Sequence, residues 1–217
     1  MKSLLVSLLS LLLSLIANSA SAEDMIDAPQ KVGDMCGWNV INHLGGKPGE
    51  QTRTVSKVEG DTITFLVSPE NGSSPSETII KLNGDVVSLN EIVATPFQPI
   101  SFTPTTVGTT WERDYTFNYG GGSSNTVTAQ YKGSVVGTEQ ITVPAGTFNA
   151  FKIKYSISYR YVGDLNGRSG NIIVELWYAP KTGCIAKASS MAYRGRGGSN
   201  LMRDGSIDFV LNRYAKF

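Results

Sequence analysis

The chain has 217 residues, with 19 Lys and Arg against 18 Asp and Glu, one His, two Cys and 23 Gly. A formal charge of +1 gives no basic field for holding nucleic acid phosphates, and 17% charged against 41% apolar residues is too apolar for a disordered chain. One histidine excludes zinc sites built on several His and leaves His43 as the candidate for any His-dependent triad.

Residues 1–22 read as a cleaved secretory signal peptide. Lys2 supplies a positive start, Leu4 to Ile16 form an apolar run interrupted by Ser7, Ser10 and Ser14, and Ala20-Ser21-Ala22 fits a signal peptidase site. The apolar core is shorter than the roughly 18 residues of a membrane span. No cysteine stands beside the site, so no lipid attachment is expected there. The mature chain, 23–217, is expected to be periplasmic or secreted and to form a single β domain.

Beyond an acidic leader ending at Gln30, strand follows strand. Period-two patterning and turn residues predict strands at 37–44, 50–59, 61–69, 77–83 and 85–93. Glu59-Gly60-Asp61 and Asn83-Gly84-Asp85 make tight hairpin turns. The segment 95–104 holds three prolines and is expected to break pairing as a seam. On its two sides, Val32-Gly33-Asp34 leads to Trp38 and Val107-Gly108-Thr109 leads to Trp111, a hint of two similar halves. Further strands are expected at 110–119, 125–132, 134–143, 147–161, 171–178, 184–193 and 206–214. In the longest, Phe151, Ile153, Tyr155, Ile157, Tyr159 and Tyr161 share one face, while Lys152, Lys154 and Arg160 lie on the other. A strand of that length suits a wide curved sheet or a barrel.

Cys36 and Cys184 stand far apart in an exported chain, where two thiols usually pair, so a disulfide is expected between them. The charge is also uneven. Residues 23–100 carry 5 basic and 11 acidic side chains, and 181–217 carry 7 and 2. Either these ends lie together and neutralise each other, or Arg194, Arg196, Arg203, Arg213 and Lys216 form a patch for an anionic surface.

Two motifs carry the most information. Residues 142–153, TVPAGTFNAFKI, read as a hairpin in which Val143, Pro144, Gly146 and Phe148 build the corner. Trp177-Tyr178-Ala179-Pro180-Lys181-Thr182-Gly183 then ends a strand at a proline and glycine turn. The combination V-P-A-G-T-F … W-Y-A-P-x-x-G-x-I-x-K, following a V-G-x-x-W strand, resembles a family of secreted bacterial proteins known as a domain of unknown function. The likeness covers Val107 to Ala192 well and Val32 to Val93 loosely. It implies an all-β fold with one large, strongly curved antiparallel sheet, a half-barrel or open barrel, in the cell envelope. It implies no enzymatic activity and no catalytic residue, and gives Trp177, Tyr178, Pro180 and Gly183 structural roles.

Chemistry is sparse elsewhere. His43 lies beside a glycine turn with no assignable Ser or Asp partner. Asp164-Leu165-Asn166-Gly167 resembles the start of a calcium loop but lacks its later ligands. Gly120-Gly121-Gly122 precedes no helix, and the arginines of Arg194-Gly195-Arg196 are too few for RNA binding. Glu112 with Asp114, and Glu175, are the candidates for glycosidic chemistry. No metal, no cofactor and no nucleic acid partner is expected. The leading expectation is a non-enzymatic envelope protein that holds a lipid or other amphipathic molecule, or meets an envelope protein partner. Its candidate ligand face is Trp111, Tyr115, Phe151, Ile153, Tyr155, Ile157, Tyr159 and Trp177. An integral outer-membrane barrel ending in Phe217, and a carbohydrate-active enzyme, are the alternatives; Arg213 falls in register with Phe209 and Leu211 and weakens the former.

Overall fold

The computed structural model describes residues 29–43, 45, 47–69, 74–82, 85–89, 92–99, 106–118, 126–165, 167–195 and 202–217. The segment 1–22 expected to be a signal peptide, Gly120 to Ser124, Asn83-Gly84 and Arg196 to Gly198 lie outside them. Twelve strands are formed by the described residues: β1 (Met35–Asn42), β2 (Gly49–Glu59), β3 (Thr62–Pro69), β4 (Ser76–Lys81), β5 (Asp85–Leu89), β6 (Ile92–Pro99), β7 (Thr110–Asn118), β8 (Thr126–Val143), β9 (Gly146–Tyr161), β10 (Ser169–Ala179), β11 (Cys184–Gly195) and β12 (Met202–Ala215).

Each strand pairs antiparallel with its neighbour in sequence, and β1 pairs with β12 as well as with β2. The fold is therefore all-β with one large antiparallel sheet, as expected, and its curvature carries the ladder round a full circuit. Pairing of β6 with β7 is short, from Val93↔Asn118 to Thr95↔Thr116. It stops directly before Pro96, which has no N–H to donate.

Three boundaries differ from the sequence expectation. The strand expected at 85–93 divides into β5 and β6, and β6 takes in 95–99 of the proline-rich segment, with Gln98 and Pro99 still opposite Val86 and Asp85. The strands expected at 125–132 and 134–143 are one strand, β8. Gly133 sits within it because Trp111, its partner on β7, packs its indole where a Cβ would stand, at 2.6 Å. A glycine inside a strand here marks a close approach, not a break.

The two V-G corners are built alike. Gly33 (φ +96°) donates its N–H to the Val55 carbonyl and Val55 donates back to Asp34, both at 2.9 Å. Gly108 (φ +90°) and Val135 repeat the pattern, with Thr109 in the place of Asp34, again at 2.9 Å. Val55 and Val135 are each 1% exposed, and a bulge follows each, at Ser56 on β2 and Val136 on β8. In both corners the glycine adopts a left-handed φ that a β-branched residue would resist.

The ends of the chain are tied at the β1 seam. Cys36 and Cys184 form a disulfide across a sequence separation of 148. It lies in an apolar cluster with Trp38, Phe148, Ala179, Ala186 and Leu211. Phe148 comes from the β8–β9 hairpin, whose two-residue tip, Pro144-Ala145, reaches β12, with Ala145 N–H donating to the Leu211 carbonyl at 3.2 Å. Opposite the disulfide, Asp34 is 3% exposed and accepts from Lys31 N–H, Phe217 N–H and the Lys216 ammonium, at 2.8, 2.9 and 2.5 Å. Arg213 pairs with Glu50 at 2.7 Å. The acidic start and basic end thus meet and neutralise each other at these two pairs. A bulge at Asn212 turns Arg213 away from the face that holds Phe209 and Leu211, and Gly37 leaves room for its side-chain stem. The register expected for 209–213 is corrected accordingly.

Two outcomes follow. Replacing both cysteines with alanine lowers the unfolding free energy in urea by about 2–5 kcal/mol, the chain-entropy scale for so long a closed loop. Burial alone would raise the Asp34 pKa, but the bonds from Lys216, Lys31 and Phe217 outweigh it and the net shift is downward. A carboxylate depressed in the folded state stabilises above its unfolded pKa of about 3.9 and loses that contribution as pH falls through the folded value. The stability gap between wild type and Asp34→Asn is therefore constant from neutral pH to about pH 5 and closes below about pH 4; a gap that persists into stronger acid would contradict this.

Candidate functional site: the barrel interior

Strand alternation divides the wall into two faces. On β9, Phe151, Ile153 and Ile157 are buried, and their partners on β10, Tyr178, Leu176 and Ile172, share that side. On β8 the same face carries Val127, Ala129, Tyr131 and Val135, each at most 6% exposed. This inner surface is filled unequally. Between β7 and β9, Trp111 stacks on Tyr131 with centroids 6.4 Å apart, Tyr131 meets Tyr155 at 5.1 Å, and Tyr115 stacks on Phe117 at 5.6 Å. With Ala129 and Ile157, these rings form one buried cluster, and Tyr115, Ala129 and Tyr159 also border an open hollow of about 620 Å³.

The other side holds a cavity of about 470 Å³. Ile80, Val86, Val174, Leu176 and Phe209 are among the apolar residues of its wall, and Tyr155 and Ile157 of β9 border it. The volume falls within the ~300–1,000 Å³ of small-molecule sites. Burial pushes the Tyr155 phenol up to about 12 and Tyr131 higher, so both hydroxyls stay neutral at physiological pH. Gln51, Thr78 and Ser190 are the uncharged polar residues on the wall.

Among the described lining residues, one is charged: Arg53 of β2. Its Nη2 donates to the Gly183 carbonyl at 3.3 Å and approaches Cys36 Sγ at 3.8 Å, and its Nε is buried with no partner. The guanidinium lies over Phe65 at 4.3 Å and near Trp38 at 5.5 Å. No carboxylate of the described residues pairs with it. Burial lowers its pKa to about 10, with Tyr178 acting weakly the other way, so it remains cationic at neutral pH. Trp38 is fixed beside it by a 2.6 Å bond from Nε1 to the Ile185 carbonyl. Gly183 adopts a left-handed φ of +66° that favours glycine, and the Gln30 amide lies against it.

The residues of the expected ligand face are thus separated. Tyr155 and Ile157 border the cavity; Phe151 and Ile153 lie in the packed layer beside it with Tyr178 and Leu176; Trp111, Tyr115 and Tyr159 belong to the aromatic cluster. Trp177 is corrected. It pairs with Lys152 and faces outward, held between Lys152 and Lys187 at 4.7 and 5.0 Å, with Nε1 donating to Glu139. Of the corner residues, Val143 and Gly146 flank the Pro144-Ala145 turn, and Pro180 is buried in the turn that Thr182 and Gly183 close onto Ala179.

The other chemical candidates lie outside the barrel. His43 does have an acidic partner, Asp208, at 2.8 Å, contrary to the sequence reading, because β1 and β12 are adjacent. Ser189 bonds to Asp208 and not to the imidazole, which is the wrong order for a triad. Glu112 pairs with Lys132, and Glu175 with Lys152 and Lys154. Burial would raise the Glu175 pKa, but its two lysines lower it on balance, the reverse of what a general acid needs. Asp164 accepts from Arg168 at two positions and closes a hairpin.

Arg53 was invisible to pattern reading because Gln51, Thr52, Arg53, Thr54 and Lys57 look like a solvent strand. Arg53 is half-buried with its Nε enclosed, and replacing a cation so placed by a similar apolar side chain removes a desolvation cost. Arg53→Met is therefore expected to gain at least about 1 kcal/mol in urea unfolding of the empty protein; a loss would contradict an unpaired charge.

The DUF3108-like family matches residues 113–193, which run from β7 into β11. No curated protein matches the chain at a significant level. Among solved structures, a predicted lipoprotein of Parabacteroides distasonis shares the fold, with a TM-score of 0.52 and 16% identity over 88% of this chain and 98% of its own. An exported protein with a YmcC-like fold from Bacteroides fragilis aligns with a TM-score of 0.48 and 16% identity, covering 88% and 99%. The hypothetical lipoprotein YmcC of Escherichia coli aligns at 0.43 and 12%, covering 92% of each chain. The chain is thus similar to an uncharacterised domain family through its second half, and to a bacterial lipoprotein fold along most of its length.

Proposed function

We propose that this is an exported, non-enzymatic protein of the bacterial envelope that holds an apolar or amphipathic ligand inside its barrel. The observation that carries the reading is the 470 Å³ cavity with a largely apolar wall, enclosed by strands of one closed ladder. An apolar-walled cavity of this size offers an apolar ligand extensive contact. Export rests on the signal-like segment 1–22, and the exported or lipoprotein descriptions of the fold neighbours are in keeping with it.

The closed ladder also raises the outer-membrane barrel, but the polarity runs the wrong way. Lys132, Lys152, Lys154, Glu112 and Glu175 form ion pairs on the outer face of β7 to β10. A lipid-facing Lys or Arg near the bilayer midplane costs roughly 2–4 kcal/mol, and here several stand together around an apolar interior. Of the carboxylates considered for glycosidic chemistry, Glu112 and Glu175 are held in lysine pairs, while Asp114 lines an open hollow of about 620 Å³ with Gln130 and Arg160.

Filling the cavity tests the reading. Ala188, 8% exposed, lines it beside Phe209. Ala188→Phe is expected to weaken binding of the apolar dye N-phenyl-1-naphthylamine at least about tenfold while urea unfolding stays cooperative, with at most the ~1–3 kcal/mol cost of overpacking. Native mass spectrometry of protein isolated from its own envelope should show a retained small amphiphile. Wild-type protein that is empty and takes up no dye would sink the proposal.

A further inference from the structure

We infer that Arg53 anchors the head of the ligand, and that the ligand is a single-chain amphiphile ending in one carboxylate. This deepens the reading above and rests on it. The wall would be satisfied by a neutral hydrocarbon were it not for one side chain. Arg53 sets a half-buried cation in the wall shared by this cavity and a smaller pocket lined by Phe65 and Gly183, with no described carboxylate to balance it and with a buried Nε–H that meets no acceptor. Its two Nη2 contacts are long, 3.3 Å to a carbonyl and 3.8 Å to a disulfide sulfur. Buried charges are normally paired, because desolvating them alone costs several kcal/mol.

The surroundings orient the guanidinium without neutralising it. Phe65 and Trp38 lie against it, and Trp38 is locked by its bond to Ile185. A held guanidinium presents parallel N–H groups at the spacing of a carboxylate's two oxygens, so little freedom is lost when an acid arrives. The charge count selects the head. One cation balances one carboxylate, whereas a phosphate monoester carries about −1.5 to −2 at neutral pH and would leave excess negative charge buried. The other cation at this end, Lys81, is paired with Asp61 at 3.0 Å. The tail has room beyond the head: at about 30 Å³ per water-sized group, 470 Å³ takes roughly fifteen.

The test is displacement of N-phenyl-1-naphthylamine from the full mature protein at neutral pH by hexadecanoic acid, hexadecanol and hexadecyl phosphate. Wild type is expected to bind the acid at least about tenfold tighter than the alcohol, and the acid tighter than the phosphate. Arg53→Met should lose the preference for the acid while keeping its affinity for the alcohol, and Arg53→Lys should retain part of it. Equal binding of acid and alcohol by wild type overturns the role of Arg53 and leaves the amphiphile reading standing. Tighter binding of the phosphate overturns the carboxylate assignment. Dye that does not bind, or that none of the three displaces, overturns both readings. Should Arg53→Met fail to fold, the wild-type comparison of acid with alcohol decides.

Discussion

The structure depends on β1 being hydrogen-bonded on both sides. With Met35 to Asn42 paired to β12 on one flank and Met35 to Val40 paired to β2 on the other, the sheet is continuous across this seam, and its two faces become an inside and an outside. The chain spends its special chemistry there. The disulfide fixes β1 to the turn that opens β11, the Asp34 carboxylate gathers the last two residues, and Glu50 meets Arg213. Without that closure the inner wall would be an exposed apolar sheet.

Within this frame the two V-G corners are equivalent and their interiors are not. Two residues before the conserved-geometry valine, one corner has Gly133 and the other has Arg53; opposite them on the neighbouring strands stand Trp111 and Cys36. The Trp111–Gly133 pairing lays an indole against the wall beside the aromatic cluster. The Cys36–Arg53 pairing sends the cysteine into a disulfide and sets the arginine in the cavity wall. A single backbone plan thus carries an aromatic cluster on one side and an apolar-walled cavity on the other, and two residue pairs mark the difference.

Much of the fold was legible because the strands obey period two where it matters. The face of Phe151 to Tyr161 and the two cysteines read correctly from the chain. What failed has a common cause in bulges and register. Trp177 reads as part of an aromatic face until pairing with Lys152 places it outside. Arg213 reads as lipid-facing until the bulge at Asn212 rotates it. Arg53 shares odd numbering with Lys57 and Glu59, which look outward only because the bulge at Ser56 reverses the strand's parity beyond Val55. A local pattern cannot register an extra residue whose place is set by the partner strand. His43 lacked a partner in sequence for a related reason, since Asp208 arrives from the far end of the chain.

The β1–β12 seam also sets an order of events. The β8–β9 hairpin joins Val143 to Gly146 across two residues, so its ladder can begin with almost no loop to close, whereas the seam joins residue 35 to residue 215. Contacts at such separation carry the largest entropic cost and come late. Until they form, β2 and β12 present bare edges, the state in which a sheet protein is most prone to pair with another chain. An oxidised Cys36–Cys184 bridge shortens that search by holding β1 beside the strands it must join, so a chain with the bridge formed has fewer open arrangements to sample before the seam closes.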